Sequence, residues 1–258
     1  MLKINEIFNI RTYPQYPRKI IISWEVGGDL PYPLGINIFR SGSKEGPFEK
    51  LNSSIITGFY YEDFFTKPLS KISDIYYKLE FIAPTEDPQF TEPFAVIPSP
   101  RLSRSYFIAR RMDQKYGIEY KAHSGVDFSI YKRKHWGTRC TKCYNPVTES
   151  ATKANCLDCF GTTFEGGYWD PVKTLGKVEP LVKTQTLQGD LNFSEDITSS
   201  LSLRAFPLVK KGDFVVEESS NRRWYIHTVQ LTEHGRFPVK QTCEIRLIEK
   251  NSILYRLK

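Results

Sequence analysis

No stretch of this chain reaches the roughly 18 consecutive apolar residues that a membrane-spanning helix needs. The opening Met1 to Ile10 is interrupted by Lys3 and Glu6 and lacks the charged stub and apolar core of a secretory signal, so synthesis in a cytoplasm is expected. Nor does the sequence contain GxSxG, HExxH, a P-loop or paired dinucleotide glycines. His227 and His234 have no evident nucleophile partner, which leaves no residue to assign as catalytic, and a non-enzyme is expected. There is no repeat of a solenoid period and no low-complexity tract. Cysteine is sparse, five in 258 residues.

Four of those five fall into two CxxC pairs, Cys140 with Cys143 and Cys156 with Cys159, separated by twelve residues. In a chain made in a reducing compartment such pairs point to metal rather than to disulfides. Each two-residue gap folds into a tight turn that brings two thiolates to about 3.7 Å, the spacing a tetrahedral ion with Zn–S bonds of about 2.3 Å requires. Two disulfides, a redox pair and an iron–sulfur cluster compete with this reading. Zinc fits the ribbon spacing best, and a rubredoxin-like iron is the next choice. Four thiolates leave no open position, so the expected role is structural. His135, five residues before Cys140, reads as a surface histidine. Cys243 alternates with Ile245 and Leu247 and reads as a core residue.

The hydrophobic fraction of 40% and aromatic fraction of 14% exclude a disordered chain, and the length suggests about two domains. Residues 1–98 read as short strands, among them Lys19 to Val26, Gly35 to Ser41 and Ile75 to Ala83, punctuated by glycine and proline turns. That pattern predicts a small antiparallel sandwich. Pro84 to Pro100 carries five prolines and marks a boundary. Ser103 offers an N-cap for a linking helix that ends at Gly117, with Phe107, Ile108 and Met112 available for one face. From about Ser200 strands return, closing with a long hairpin that turns near His234 and Gly235. Val215, Trp224, Ile226, Val229, Ile245 and Leu247 are candidates for its core. The expected architecture is mainly β: sandwich 1–98, then 99–258 holding the helix, a ribbon at about 135–175 and a small barrel at about 176–258, with the ribbon inserted in or preceding the barrel.

The net charge of +7 is concentrated, because Arg101 to Lys142 holds eleven Lys or Arg against three acids. Such a segment suits an acidic neighbour, non-specific contact with DNA, or water alone.

Two resemblances follow. With Trp24 in the place of a buried early-strand tryptophan and Tyr77 near that of a late-strand tyrosine, the front resembles a fibronectin type III or immunoglobulin-like domain, which implies a protein contact surface. The two CxxC pairs followed by the run C-F-G-T-T-F-E-G-G-Y-W-D-P, Cys159 to Pro171, resemble zinc-ribbon structural proteins from the neck or connector of tailed bacteriophages. Thr163 stands where that pattern expects glycine. The resemblance implies a virion component that forms a homo-oligomeric ring against portal, tail or collar proteins. The alternatives are a nucleic-acid-binding zinc-ribbon protein in which Arg139 and Lys142 meet phosphates, a tail or baseplate structural protein, and a tail enzyme acting on glycan or peptide.

Overall fold

The computed structural model describes residues 8–15, 18–65, 74–84, 87–153, 155–185 and 196–257. Most of the amphipathic opening, residues 1–7, lies outside the described residues. Strand makes up 45% and helix 14%, so the chain is mainly β.

The front half forms two antiparallel sheets. One orders β1 (Phe8–Gln15), β2 (Lys19–Val26) and β5 (Tyr60–Phe64). The other orders β4 (Glu49–Lys50), β3 (Gly35–Ser41), β6 (Tyr76–Ile82) and β7 (Gln89–Phe90), with β8 (Phe94–Ala95) also pairing β6. Trp24 and Tyr77 are both fully buried between them. Trp24 Nε1 donates to the Gly58 carbonyl at 2.9 Å, and the Tyr77 hydroxyl donates to Asp63 at 2.6 Å. The proline-rich stretch is more than a boundary, since β7 and β8 lie in it and complete the second sheet.

Simple alternation does not hold in β2, where Ile20 to Trp24 are buried without a break. Successive side chains point to opposite faces of a sheet, so both faces of β2 are covered. The outer cover comes from the second half of the chain: Phe206 packs edge-on against Tyr13 at 5.3 Å and against Tyr60 at 5.1 Å. One core therefore runs from Ile36 and Leu79 in the sandwich to Phe206, Phe237 and Val239 beyond it.

Helix α1 spans Ser103–Glu119 and continues as a single π turn, Tyr120–Ser124. Two expectations change here. Ser103 is the first helical residue rather than the cap, and Leu102 in the cap position makes no side-chain capping bond. Gly117 does not stop the helix. A Cβ placed there would lie 3.4 Å from the Arg204 guanidinium, an ordinary van der Waals contact. The chain turns out at Gly125, where a Cβ would meet the Tyr120 carbonyl oxygen at 2.1 Å. The buried stripe is Tyr106, Ala109 and Asp113, flanked by Met112 and Tyr116, whereas Phe107 is 36% exposed. Asp113, 2% exposed, is held in a two-pronged ion pair by the Nε and Nη2 of Arg204, at 3.0 and 2.5 Å.

Six strands then close a barrel: β9 (Val126–Tyr131), β12 (Val172–Gln185), β13 (Asp196–Arg204), β14 (Phe214–Glu217), β15 (Arg223–His234) and β16 (Phe237–Leu247), in the order β12-β13-β16-β15-β14-β9. It begins some fifty residues earlier than the sequence suggested, because β9 belongs to it. Phe128, Ile130, Leu201, Leu203, Val215, Trp224, Ile226, Cys243 and Ile245 fill its interior, with Val229 and Leu247 partly buried against them. Burying each such aliphatic side chain contributes about 1.5–3 kcal/mol. The long hairpin turns at Gly235 and Arg236, whose φ values of +57° and +74° give the left-handed two-residue loop that matches strand twist. Two short strands, β10 (Tyr144–Asn145) and β11 (Ser150–Ala151), stand apart.

The Asp113 pair anchors α1 to the barrel, so Asp113→Ala is expected to lower the unfolding free energy by about 3 kcal/mol. That is the low end for removing one partner of a buried pair, because the Arg204 side chain keeps 26% exposure. Urea denaturation measures it, and replacement of both partners by Leu and Met should restore most of the loss.

Candidate metal centre

The ribbon is a loop thrown out between neighbouring barrel strands. Residue pairs from Val172↔Ile130 to Gly176↔Val126 join β12 to β9. Beyond them the ladder continues, with Trp169 N donating to the Lys132 carbonyl at 2.9 Å and Lys134 N to that of Gly167 at 3.0 Å. Both ends of the insertion are thus fixed by main-chain bonds before the cysteines are reached.

Above this base the two knuckles fold alike. Tyr144 N donates back to the Cys140 carbonyl at 3.1 Å, and Phe160 N donates back to that of Cys156 at 2.9 Å. Cys140 N bonds the Thr163 carbonyl at 2.9 Å and ties the first knuckle to the turn after the second. β10 and β11 form the small hairpin between them. In the turns after Cys159, Gly161, Gly166 and Gly167 all have positive φ. Phe160 and Thr163 share that left-handed conformation at +51° and +73°, so the position where glycine was expected does adopt a glycine-type backbone. Thr163 is retained with a compensating contact: its Oγ1 accepts from Arg139 Nη1 at 2.6 Å.

All four sulfurs are buried and lie within 4.8 Å of one another. Cys140 and Cys156 are 3.8 Å apart and Cys143 and Cys159 3.1 Å, well beyond the about 2.05 Å of a disulfide. The four thiols are close enough together to fit one metal ion as its donors. The backbone N–H of Asp158 draws the Cys156 thiol down to about 7. Burial pushes Cys143 and Cys159 up, and for Cys143 the neighbouring sulfurs add to it. His135 lies outside the four-sulfur cluster, and its Nδ1 is 3.1 Å from Asp29 Oδ1. Cys243 lies apart, inside the barrel.

Compared with protein-family models and with curated proteins, the chain matches none.

The basic segment does not form one face. Lys132, 7% exposed, points inward, where its ammonium donates to the Leu208 carbonyl and pairs with Asp213 at 3.3 Å and Glu25 at 3.6 Å. Burial acts to raise the Glu25 carboxyl, yet Lys132 and Lys210 outweigh it and hold that carboxyl below its usual range. Arg139 lies over the rings of Phe164 and Tyr144, 4.2 and 4.7 Å from their centroids, and pairs with Asp29 at 3.5 Å. Lys142 remains exposed and pairs with Asp158 at 2.8 Å. Sequence reasoning missed Lys132, although Phe128, Ile130 and Lys132 share one strand parity and the signal was there to extend. The Asp29 loop had no such signal: Leu30 N donates to the His135 carbonyl at 2.8 Å and buttresses the ribbon base from the sandwich.

Thr163 sets two effects against each other. A left-handed residue with a side chain costs about 1–2 kcal/mol, and a hydrogen bond to a charged donor contributes about 1.5–3 kcal/mol. Thr163→Gly should therefore change stability by less than about 1 kcal/mol, whereas Thr163→Val, which keeps the strain and loses the bond, should cost about 2 kcal/mol. Thermal unfolding of Thr163→Val at the wild-type midpoint would show that the Arg139 contact contributes nothing.

Proposed function

We propose that this chain is a structural virion protein of a tailed phage, a ring-forming component of the neck or connector whose ribbon is held by one zinc ion. The observation that carries the reading is the placement of the four-thiol site on an insertion that leaves and re-enters a closed barrel through one hydrogen-bonded ladder. A four-thiolate set staples a projection to a rigid base and offers no position for a reacting water, so its role is to shape a contact surface rather than to catalyse. The run from Cys159 to Pro171 supports the same assignment. Its partners would be further copies of itself and the portal, tail or collar proteins around it, and it would be made in the host cytoplasm.

A nucleic-acid-binding reading is favoured by one feature. Arg104, Arg111 and Lys115 project from one exposed side of α1, with Glu119 at the end of that stripe. Arg110, Lys132 and Arg133 are poorer probes of this surface, since they are not among the exposed residues.

Protein prepared without added metal should carry one zinc per chain by elemental analysis, and less than about half an equivalent, or mainly iron, would sink the zinc assignment. Native mass spectrometry should find a closed oligomer. Reversal of Arg104, Arg111 and Lys115 to glutamate separates the two functions. A ring component should bind duplex DNA weakly before and after the change, whereas a nucleic-acid binder should lose salt-sensitive affinity by more than about ten-fold.

A further inference from the structure

A cleft of about 340 Å³ opens where the sandwich meets the chain leaving the ribbon. Thr57 to Tyr60 line one side, and Lys134 with Tyr168 to Pro171 line the other. The volume lies at the small end of the range of ligand sites. Phe59 and Tyr168 are buried in its wall, while Tyr60 and Trp169 stay half-buried at its edge. Neither edge ring is free to collapse. Trp169 rests on Trp136 at 4.8 Å, and Tyr60 sits between Phe59 at 5.0 Å and Phe206 at 5.1 Å. The site is therefore formed in advance, which lowers the ordering cost of binding.

The polar groups decide what it would hold. The Gly58 carbonyl already accepts from Trp24 Nε1 at 2.9 Å. Lys134 Nζ lies 5.1 Å from the Trp169 ring centroid and donates to the Glu165 carbonyl at 2.9 Å. The ammonium has further protons to give. Asp170 is exposed, and its charge is felt by both Lys134 and the Tyr60 hydroxyl. Among the described residues, Asp170 has no ion pair or hydrogen bond of its own. One carboxylate acceptor, one ammonium donor and one phenol thus face a cleft with aromatic sides and no net charge.

A hydroxyl group both donates and accepts, so a pair of neighbouring hydroxyls can satisfy Asp170 and Lys134 together. The apolar C–H face of the same ring can then lie on Tyr60 or Trp169. A proline-rich peptide offers carbonyl acceptors but few donors and would leave Asp170 unmet. A phosphorylated ligand would bring its charge against that carboxylate. We propose that this cleft binds a neutral saccharide, seating one hexopyranose ring between Tyr60 and Trp169 with vicinal hydroxyls on Asp170 and Lys134. The proposal does not depend on the assembly reading.

The test uses the full chain and saturation-transfer NMR against the methyl glycosides of glucose, galactose, mannose, rhamnose, N-acetylglucosamine and N-acetylgalactosamine, each to about 50 mM. At least one should show saturable transfer, strongest to protons on one face of its ring. Asp170→Ala should weaken that binding by about ten-fold or more, and Tyr60→Phe, which keeps the packing, by about three-fold or more. Both variants should keep the wild-type unfolding midpoint and metal content. No saturable transfer from any of the six, or binding that survives both substitutions unchanged, overturns the proposal.

Discussion

The contact that organises this chain is the burial of the outer face of the β1-β2-β5 sheet against the end of the barrel. A free-standing sandwich would leave that face in water and show polar residues at every second position. Here Ile21, Tyr13 and Tyr60 are apolar where such a sheet would be wet, and Phe206 is the residue that covers two of them. Because the cover comes from the loop between β13 and β14, neither half is complete without the other. The ribbon base depends on the same contact, since the Asp29 loop that buttresses His135 and Trp136 belongs to the sandwich.

Charge specifies what apolar contact alone leaves loose. Greasy surfaces slide over one another at small cost, but Lys132 can be buried only where Glu25 of the sandwich and Asp213 of the barrel both meet it. Replacing such a network by hydrocarbon is often neutral or favourable in stability, whereas breaking it strands a buried charge. Its contribution is therefore best understood as orientation. Asp213 reinforces this by accepting also from the backbone N–H of Arg133 at 2.8 Å and of Lys210 at 2.8 Å, so the acid is fixed before the lysine arrives.

Much of this was legible in the residues. CxxC spacing located the four thiols, and the alternation of Cys243 with Ile245 and Leu247 placed a lone cysteine in a core. The misplaced features share a cause. Gly117 looks like a helix stop in sequence because glycine is common just past a helix end, yet the helix runs on to Glu119 and this glycine does not take the left-handed φ of a C-cap. Val126 to Tyr131 has no assignment from sequence because a six-residue strand, cut from its partner β12 by an insertion of forty residues, carries no local sign of pairing. Phe107 was assigned to a buried face because apolar character is visible in sequence while direction around a helix is set by Asp113, whose burial follows from a partner ninety-one residues away.

The insertion has a mechanical consequence. A loop of this length hung from a barrel by flexible ends would order at a large entropic cost. Its stem instead prolongs the β9–β12 ladder through Lys132, Lys134, Gly167 and Trp169, and the isolated bridge between Arg139 and Phe164 carries the pairing up to the first knuckle. The loop that remains to be closed runs from Cys140 to Phe164, and the four thiols divide it into two turns and one short hairpin. With the ladder below and the sulfurs above, the aromatic segment from Phe164 to Trp169 is held at both ends. That explains how a stretch with two residues of positive φ, at Gly166 and Gly167, can keep Trp169 fixed on Trp136 at the junction of sandwich, ribbon and barrel.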